Sequence, residues 1–282
     1  RRARRMGAAS ARRCCPHVAG DAEEVALTLV EVNCTVQRVD DLAKERLVDT
    51  RPTYTFEDGT TYTGDWIGTM RHGMGLQAGT DGSRYEGRWA NDAAHGRGRM
   101  EYPEGDVYEG QWEDNVRSGY GTHTQVDGAS YEGHWAEDAH HGEGRQVMAD
   151  GSTYAGQYAG GRWDGFGRLS LANSSVYDGN FVDGQKHGAG VMESKEGWRY
   201  EGQWVGGSMH GEGTFLYADG RRYQGTFEHG LMDGVGTMAF KDGTRYEGEW
   251  RSGRQHGAGS FFALGRTRQG RWKDGEHVGW TD

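Results

Sequence analysis

Histidine recurs at His72, His95, His141, His187, His210 and His256, always at intervals of 23 residues or twice that. Imidazoles in such number are the material of a zinc site, where three or four ligands sit ~2 Å from one ion. The interval argues against it. If each 23-residue stretch supplies two strands of a sheet, equivalent side chains stand roughly 9–10 Å apart, too far to share an ion within one chain. Ser118, Asp164 and Asp233 occupy the same column, as suits a polar turn residue that bonds nearby backbone. A zinc ion bridging two chains through His140, His141 or a terminal histidine is the lesser alternative. Carboxylates recur as well, at Glu86, Glu109, Glu132, Glu201 and Glu247. Acid–base catalysis needs two carboxyls in unlike surroundings, whereas these repeat one environment and read as solvated charges. Gly-x-Gly pairs such as Gly211-Glu212-Gly213 recur without a following helix or a Gly-Lys-Ser/Thr, so they are not phosphate loops. The chain has no Gly-x-Ser-x-Gly elbow and no Cys-x-x-Cys. The expectation is a protein that is not an enzyme, with no catalytic, cofactor-binding or metal-binding residues.

The element that positions all of these is the repeat itself. Tyr62, Tyr85, Tyr108, Tyr131, Tyr154, Tyr177, Tyr200, Tyr223 and Tyr246 follow one another every 23 residues without insertion or deletion. A tenth unit begins 22 residues later with Arg268 in place of the tyrosine. Counting each tyrosine as position 0, glycine stands at +2 in all ten units, and +4 is always aromatic: Trp66, Trp89, Trp112, Trp135, Tyr158, Phe181, Trp204, Phe227, Trp250 and Trp272. Positions 0, +2 and +4 share one face of a strand, so two aromatics flank a gap. The gap is expected to admit an aromatic from the neighbouring unit, lying flat. These columns are structural packing residues.

The middle of each unit, +5 to +9, reads as a variable polar turn ending in the Gly-x-Gly pair. A second strand follows, with +15 and +17 facing inward: Phe215 and Tyr217, Leu169 and Leu171, Met238 and Phe240. Asp-Gly pairs such as Asp150-Gly151 and Asp219-Gly220 close many units and favour the tight turns that join antiparallel strands. Each unit is therefore a β-hairpin. One hairpin cannot fold alone, because ordering each of its 23 residues costs roughly 1–2 kcal/mol, while two or three buried large side chains return roughly 1.5–3 kcal/mol apiece. Stability must come from stacking on neighbours. The predicted fold is all-β, an elongated single-layer antiparallel sheet of about ten hairpins. About twenty strands at ~4.8 Å spacing give a rod or shallow trough of roughly 95 Å.

Composition agrees with a register rather than with disorder. Of the 50 glycines, 44 fall in five columns, at +2, +7, +11, +13 and +20. Residues 51–282 hold 23 Lys/Arg against 34 Asp/Glu, a net charge of −11, which repels nucleic acid phosphate and anionic lipid. Cys14, Cys15 and Cys34 all precede the repeats, so no disulfide framework serves the array, which fits a reducing compartment. No run of 18 apolar residues is present, hence no expected membrane-spanning helix.

Ahead of the array, residues 1–20 are Arg-rich and read as a basic flexible tail; Arg1 stands where methionine would, which points to a missing or processed start. Residues 21–52 form a short non-repeat α/β segment, with a strand over 25–36 and a helix from about Asp41 to Leu47, ended by Pro52. This segment is expected to cap the first hairpin's open edge or to dock a partner. Residues 53–282 are the array: a partial unit at 53–61, nine regular units from 62, and a degenerate tenth over 268–282. Loss of the tyrosine, the histidine and the second glycine in that tenth unit favours a terminal cap over a full hairpin.

Tyr200-Glu201-Gly202-Gln203-Trp204 with His210-Gly211-Glu212-Gly213, and Tyr246-Glu247-Gly248-Glu249-Trp250 with His256-Gly257-Ala258-Gly259, resemble the MORN (membrane occupation and recognition nexus) repeat. The resemblance covers residues 62–280; Ser118, Asp164 and Asp233 depart from its histidine. It implies a scaffold. Related arrays occur in radial-spoke-head and other axonemal proteins, in cytoskeletal proteins, in junctional membrane tethers, and attached to lipid kinases or methyltransferases. No kinase or methyltransferase region and no apolar tail accompany this array, so it looks most like the axonemal and cytoskeletal members. The implied partners are other proteins of a cytoskeletal or axonemal complex in the cytoplasm, with a cilium or flagellum favoured and a homodimer admitted. Nucleic acid is not an expected partner. A peripheral membrane adaptor binding phosphoinositides through residues 1–15 is the alternative, less favoured because the array is acidic.

Overall fold

The structure, a computed structural model, describes residues 48–281. The strand expected over 25–36, the helix near residues 41–47, the basic tail and the three cysteines lie outside the described residues. Every regular element in residues 48–281 is a β-strand. After an opening strand, Val48–Thr55, each unit contributes two. In unit 7 the first is Arg199–Val205 and the second Ser208–Leu216. Each strand pairs antiparallel with the strands before and after it in sequence, within a unit and between units, giving one sheet of 21 strands.

The register explains the glycines. Gly202 faces Gly213 within unit 7, and Gly213 faces Gly225 of unit 8. The same pairing continues across the sheet from Gly64 to Gly270, so that columns +2 and +13 form one unbroken row. A Cβ on Gly213 would stand 2.5 Å from the Tyr200 hydroxyl and 2.6 Å from its ring. The gap is thus filled by the unit's own tyrosine, laid across the glycine row, and not by a neighbour's ring. Neighbouring rings meet edge to face instead, as Tyr200 meets Phe227 at 5.1 Å and 83°.

Two kinds of turn alternate. Inside the unit the turn is confined to +6 and +7, with positive φ at both residues in every unit but the first, as at Asn91 (50°) and Asp92 (69°) or Gly206 (55°) and Gly207 (80°). Positive φ at both central residues marks a type I′ hairpin. The histidine and Gly-x-Gly do not belong to this turn, as the sequence suggested, but to the second strand. There the register shifts after Gly202, and Gly211 takes φ 58° in the resulting bulge. Asp-Gly lies in a longer loop between units. In it the Tyr217 N–H donates to Arg221 O at 2.8 Å, and Gly220 N–H to Tyr217 O at 2.9 Å.

The array ends differ from the sequence expectation in two ways. The strand Val48–Thr55 runs through Pro52, which costs little on a strand that need not donate from that residue. The tenth unit forms its hairpin, Arg266–Lys273 paired with the short strand Glu276–Trp280. Its 22-residue offset has a local cause: the two-residue turn Leu264-Gly265 replaces the longer loop, with Ala263 facing Arg266.

Candidate interaction surfaces of the array

The chemistry of one face follows from the bulge. All nine tyrosines and all ten aromatics at +4 are buried, none more than 8% exposed. Each tyrosine hydroxyl donates to the main-chain carbonyl at +3, at 2.9 Å for Tyr200 to Gln203 and 2.8–3.0 Å elsewhere. The bulge displaces that carbonyl from the regular ladder, and the phenol satisfies it. Tryptophan at +4 reaches backward: the indole N–H of Trp89, Trp112, Trp135, Trp204 and Trp250 donates to the +13 glycine carbonyl of the preceding unit at 3.0–3.2 Å. Trp66, with no complete unit before it, has a buried indole nitrogen without a partner. The substitutions at +4 keep a ring in place but drop this bond; Tyr158 donates instead to Gln146 Oε1 at 3.3 Å.

Burial has electrostatic consequences. It pushes the phenols of Tyr62, Tyr131, Tyr177, Tyr200 and Tyr246 up to about 12, and raises Tyr85, Tyr108, Tyr154, Tyr158 and Tyr223 as well. Burial holds the His140 imidazole down to about 4 and lowers Lys186.

Both groups belong to a column that sequence reasoning missed. At +9 a side chain lies over the unit's tyrosine or the next unit's +4 ring. The His140 ring stacks on Tyr131 at 3.6 Å and Trp163 on Tyr154 at 4.5 Å. Lys186 Nζ sits 4.9 Å from the Trp204 ring centre. The residue type changes from unit to unit, so no motif marks the column; its fixed offset from each tyrosine was the available signal.

The opposite face is open to solvent and carries +1, +3, +12 and +14. The +3 side chain often caps the bulge, as where Gln157 Oε1 accepts the Phe166 N–H at 2.9 Å. Position +12 then points outward, and Met74, Tyr120, Phe166 and Val235 are 51–65% exposed there. Between Tyr120 and Phe166 runs a groove of about 550 Å³, floored by Gly133, Gly144 and Gly156 and edged by Glu132, Arg145 and Arg168. Tyr120 donates to Glu132 at 2.9 Å, and both that bond and the carboxylate raise its phenol.

The histidine column is partly or fully exposed. His256 Nδ1 lies 3.4 Å from Asp274 Oδ1, and His72 Nδ1 is buried without a partner. Among the described residues no three histidine, cysteine or carboxylate side chains converge as a metal site, and no helix there is long and apolar enough to cross a membrane.

The family model described as "MORN repeat" matches nine consecutive stretches, residues 62–84, 85–107, 108–130, 131–153, 154–176, 177–199, 200–221, 223–245 and 246–263. No curated protein matches the sequence significantly. Among solved structures, the chain is similar to the TCP10 domain of Danio rerio CPAP in complex with a peptide of STIL. That match has 12% identity and a TM-score of 0.43, covering 82% of this chain and 98% of that one. It is also similar to the SAS-4 (dCPAP) TCP domain of Drosophila melanogaster in complex with a proline-rich motif of Ana2. Here the identity is 14% and the TM-score 0.34, with 62% of this chain and 90% of that one covered. Likeness at this level has no bearing on function.

Proposed function

The chain belongs to the MORN-repeat family, and from that premise we propose that it is a structural scaffold of the cytoskeleton, a ciliary or flagellar component of the radial-spoke kind, that binds other proteins along its repeats. The observation that carries the reading is the solvent-facing side of the sheet. Met74, Tyr120, Phe166 and Val235 hold large apolar side chains in the open at one repeat position, interleaved with charged Arg97 and Glu143 in the same column. Apolar anchors separated by charges are what a protein partner buries first. The axonemal assignment rests on the resemblance of this free array to axonemal members of the family.

The test is extraction. Tagged full-length protein in ciliated cells is expected to remain in the detergent-insoluble axoneme and to leave at high salt. Release by detergent alone, or flotation with phosphoinositide vesicles that salt reverses, would replace the scaffold with a membrane adaptor. Substituting Tyr120→Asp and Phe166→Asp together is expected to abolish retention while the array stays folded by circular dichroism.

A further inference from the structure

The +9 column fails in one unit. It reads Arg71, Ala94, Arg117, His140, Trp163, Lys186, Met209, Met232 and Gln255 from the first unit to the ninth. Eight of these are long or flat enough to cover the rings beside them, and Ala94 is not. The neighbours register the loss. Tyr85 is 5% exposed where the other eight tyrosines are 0–2%, and Trp112, at 8%, is the most exposed of the ten +4 aromatics. Beside Ala94 lies a cavity of about 460 Å³, walled by Tyr85, Trp89, Tyr102, Trp112 and Asn115 and also lined by Arg117, whose charge is paired with Asp138 at 3.0 Å.

The flanking units show what fills such a space. In units 1 and 3 the +9 residue is arginine. The Arg71 guanidinium lies 4.2 Å from the Trp89 ring centre, and that of Arg117 lies 4.3 Å from Trp135. The turn residue at +7 of the next unit holds each one. Asp92 Oδ1 accepts the Arg71 main-chain N–H at 2.8 Å and Asp92 O accepts Nη2 at 2.8 Å. Asp138 does the same for Arg117 at 2.9 and 3.0 Å. In both, the aspartate Oδ1 also accepts the arginine Nε, at 3.1 and 3.0 Å. Unit 2 keeps the main-chain part of this frame, with neutral Asn115 in place of the aspartate. Asn115 Oδ1 accepts the Ala94 N–H at 2.8 Å, and Asn115 N–H donates to Ala94 O at 3.0 Å, as Asp92 N–H does to Arg71 O at 3.1 Å. The Trp112 ring and the Asn115 carbonyl stand in for those that receive a guanidinium on either side.

We propose that the cavity beside Ala94 is an arginine socket, which takes an arginine side chain of a partner protein between Trp89 and Trp112, with Asn115 accepting from the guanidinium. A planar cation over tryptophan is favoured by the ring quadrupole, more so when desolvated. Arginine keeps its planar fork and its charge under all relevant conditions. The net charge of −11 on residues 51–282 draws a basic segment towards the array. The inference deepens the scaffold reading, on which it rests only for the source of the arginine.

The test uses the full chain, with the indole N–H resonances of its ten tryptophans followed by NMR. Trp112→Phe, which keeps a ring as Phe181 and Phe227 do, assigns the Trp112 signal. N-acetyl-arginine methylamide is expected to shift Trp89 and Trp112 saturably, with half-saturation at roughly 1–30 mM as befits one side chain. The lysine analogue should bind at least about fivefold more weakly, for want of the planar fork. Ala94→Arg places the missing side chain in cis; it should abolish the shift and raise Tm. No saturable shift, lysine or phenylalanine analogues binding as well as arginine, or a lower Tm for Ala94→Arg would each overturn the proposal. Absence from axonemes would remove the functional reading while leaving the socket intact, and failure of the probe would do the reverse.

Discussion

Tyr200 shows how much one side chain does here. Its ring covers two facing glycines, its hydroxyl satisfies a carbonyl that the bulge has displaced, and its edges meet Trp204 at 5.2 Å and Phe227 at 5.1 Å. These roles separate experimentally. Tyr200→Phe keeps the ring and loses the bond to Gln203 O, leaving a buried acceptor short, and should cost about 1–3 kcal/mol in urea unfolding. Gly213→Ala drives a methyl into the ring from below and should cost about 1–3 kcal/mol by overpacking. Alanine at Gly202 meets the same hydroxyl at 2.5 Å and, in addition, the Gly213 Cα at 2.6 Å, so backbone as well as side chain must move and the loss should be greater. The phenols also set an alkaline limit. A tyrosine ionises near 10 when unfolded, whereas five buried ones are raised to about 12. Between those values the unfolded chain releases protons that the folded chain retains, so stability is full below pH 10 and falls as pH rises towards 12. In an alkaline titration, tyrosinate absorbance and the loss of β circular dichroism should therefore rise together. Ionisation of the buried tyrosines with the fold intact would contradict this.

At the scale of the hairpin, the two turns carry unequal strain. The type I′ turns place Glu137, His229, Ser252 and Leu264 at φ 48–50°, a region that costs most side chains roughly 1–2 kcal/mol and asparagine or glycine less. Leu264 is also fully exposed. Leu264→Asn should raise stability by about 1 kcal/mol, read as a higher Tm. The two-residue turn is also where sequence reading stopped short. Alternation at 0, +2 and +4 disclosed the buried face of the first strand, because side chains on a strand have a period of two. The bulge breaks that period inside the second strand, so His210 and Gly211 looked like loop. The place of Gly213 beneath Tyr200 depends on a register that no single strand reveals. The column at +9 was hidden for a different reason: arginine, histidine, tryptophan and lysine can each cover an aromatic ring, so what persists there is shape and reach, not residue type.

Over the whole array, stability is a sum of like contacts. Tyrosines and +4 aromatics meet edge to face without a break from Trp66 to Trp272, each unit's +4 ring resting against the tyrosine of the unit before. Each such pair adds about 0.5–1.5 kcal/mol beyond buried area. Turn tips reinforce the stacking, as where the Gly207 N–H donates to Lys186 O of the preceding unit at 3.0 Å. A chain built this way should tolerate loss of a whole unit but not of part of one. Deleting residues 177–199 joins Val176 to Tyr200 in register and should leave a folded array of lower Tm, with unchanged ellipticity per residue. Removing residues 177–188 instead should yield insoluble or unfolded protein, because the glycine row and the tyrosines fall out of step.

The row of paired glycines has a mechanical meaning as well. Hydrogen bonds between antiparallel strands run perpendicular to them, so here they point from each unit to the next. Tension applied between Val48 and Thr281 would load one strand pair after another, peeling the sheet instead of shearing all its bonds at once. Every unit released adds 23 residues of free chain, about 80 Å when taut. Pulled from its ends, the protein should lengthen in equal steps at nearly constant force, as a force limiter does, and should re-zip hairpin by hairpin when the load is removed.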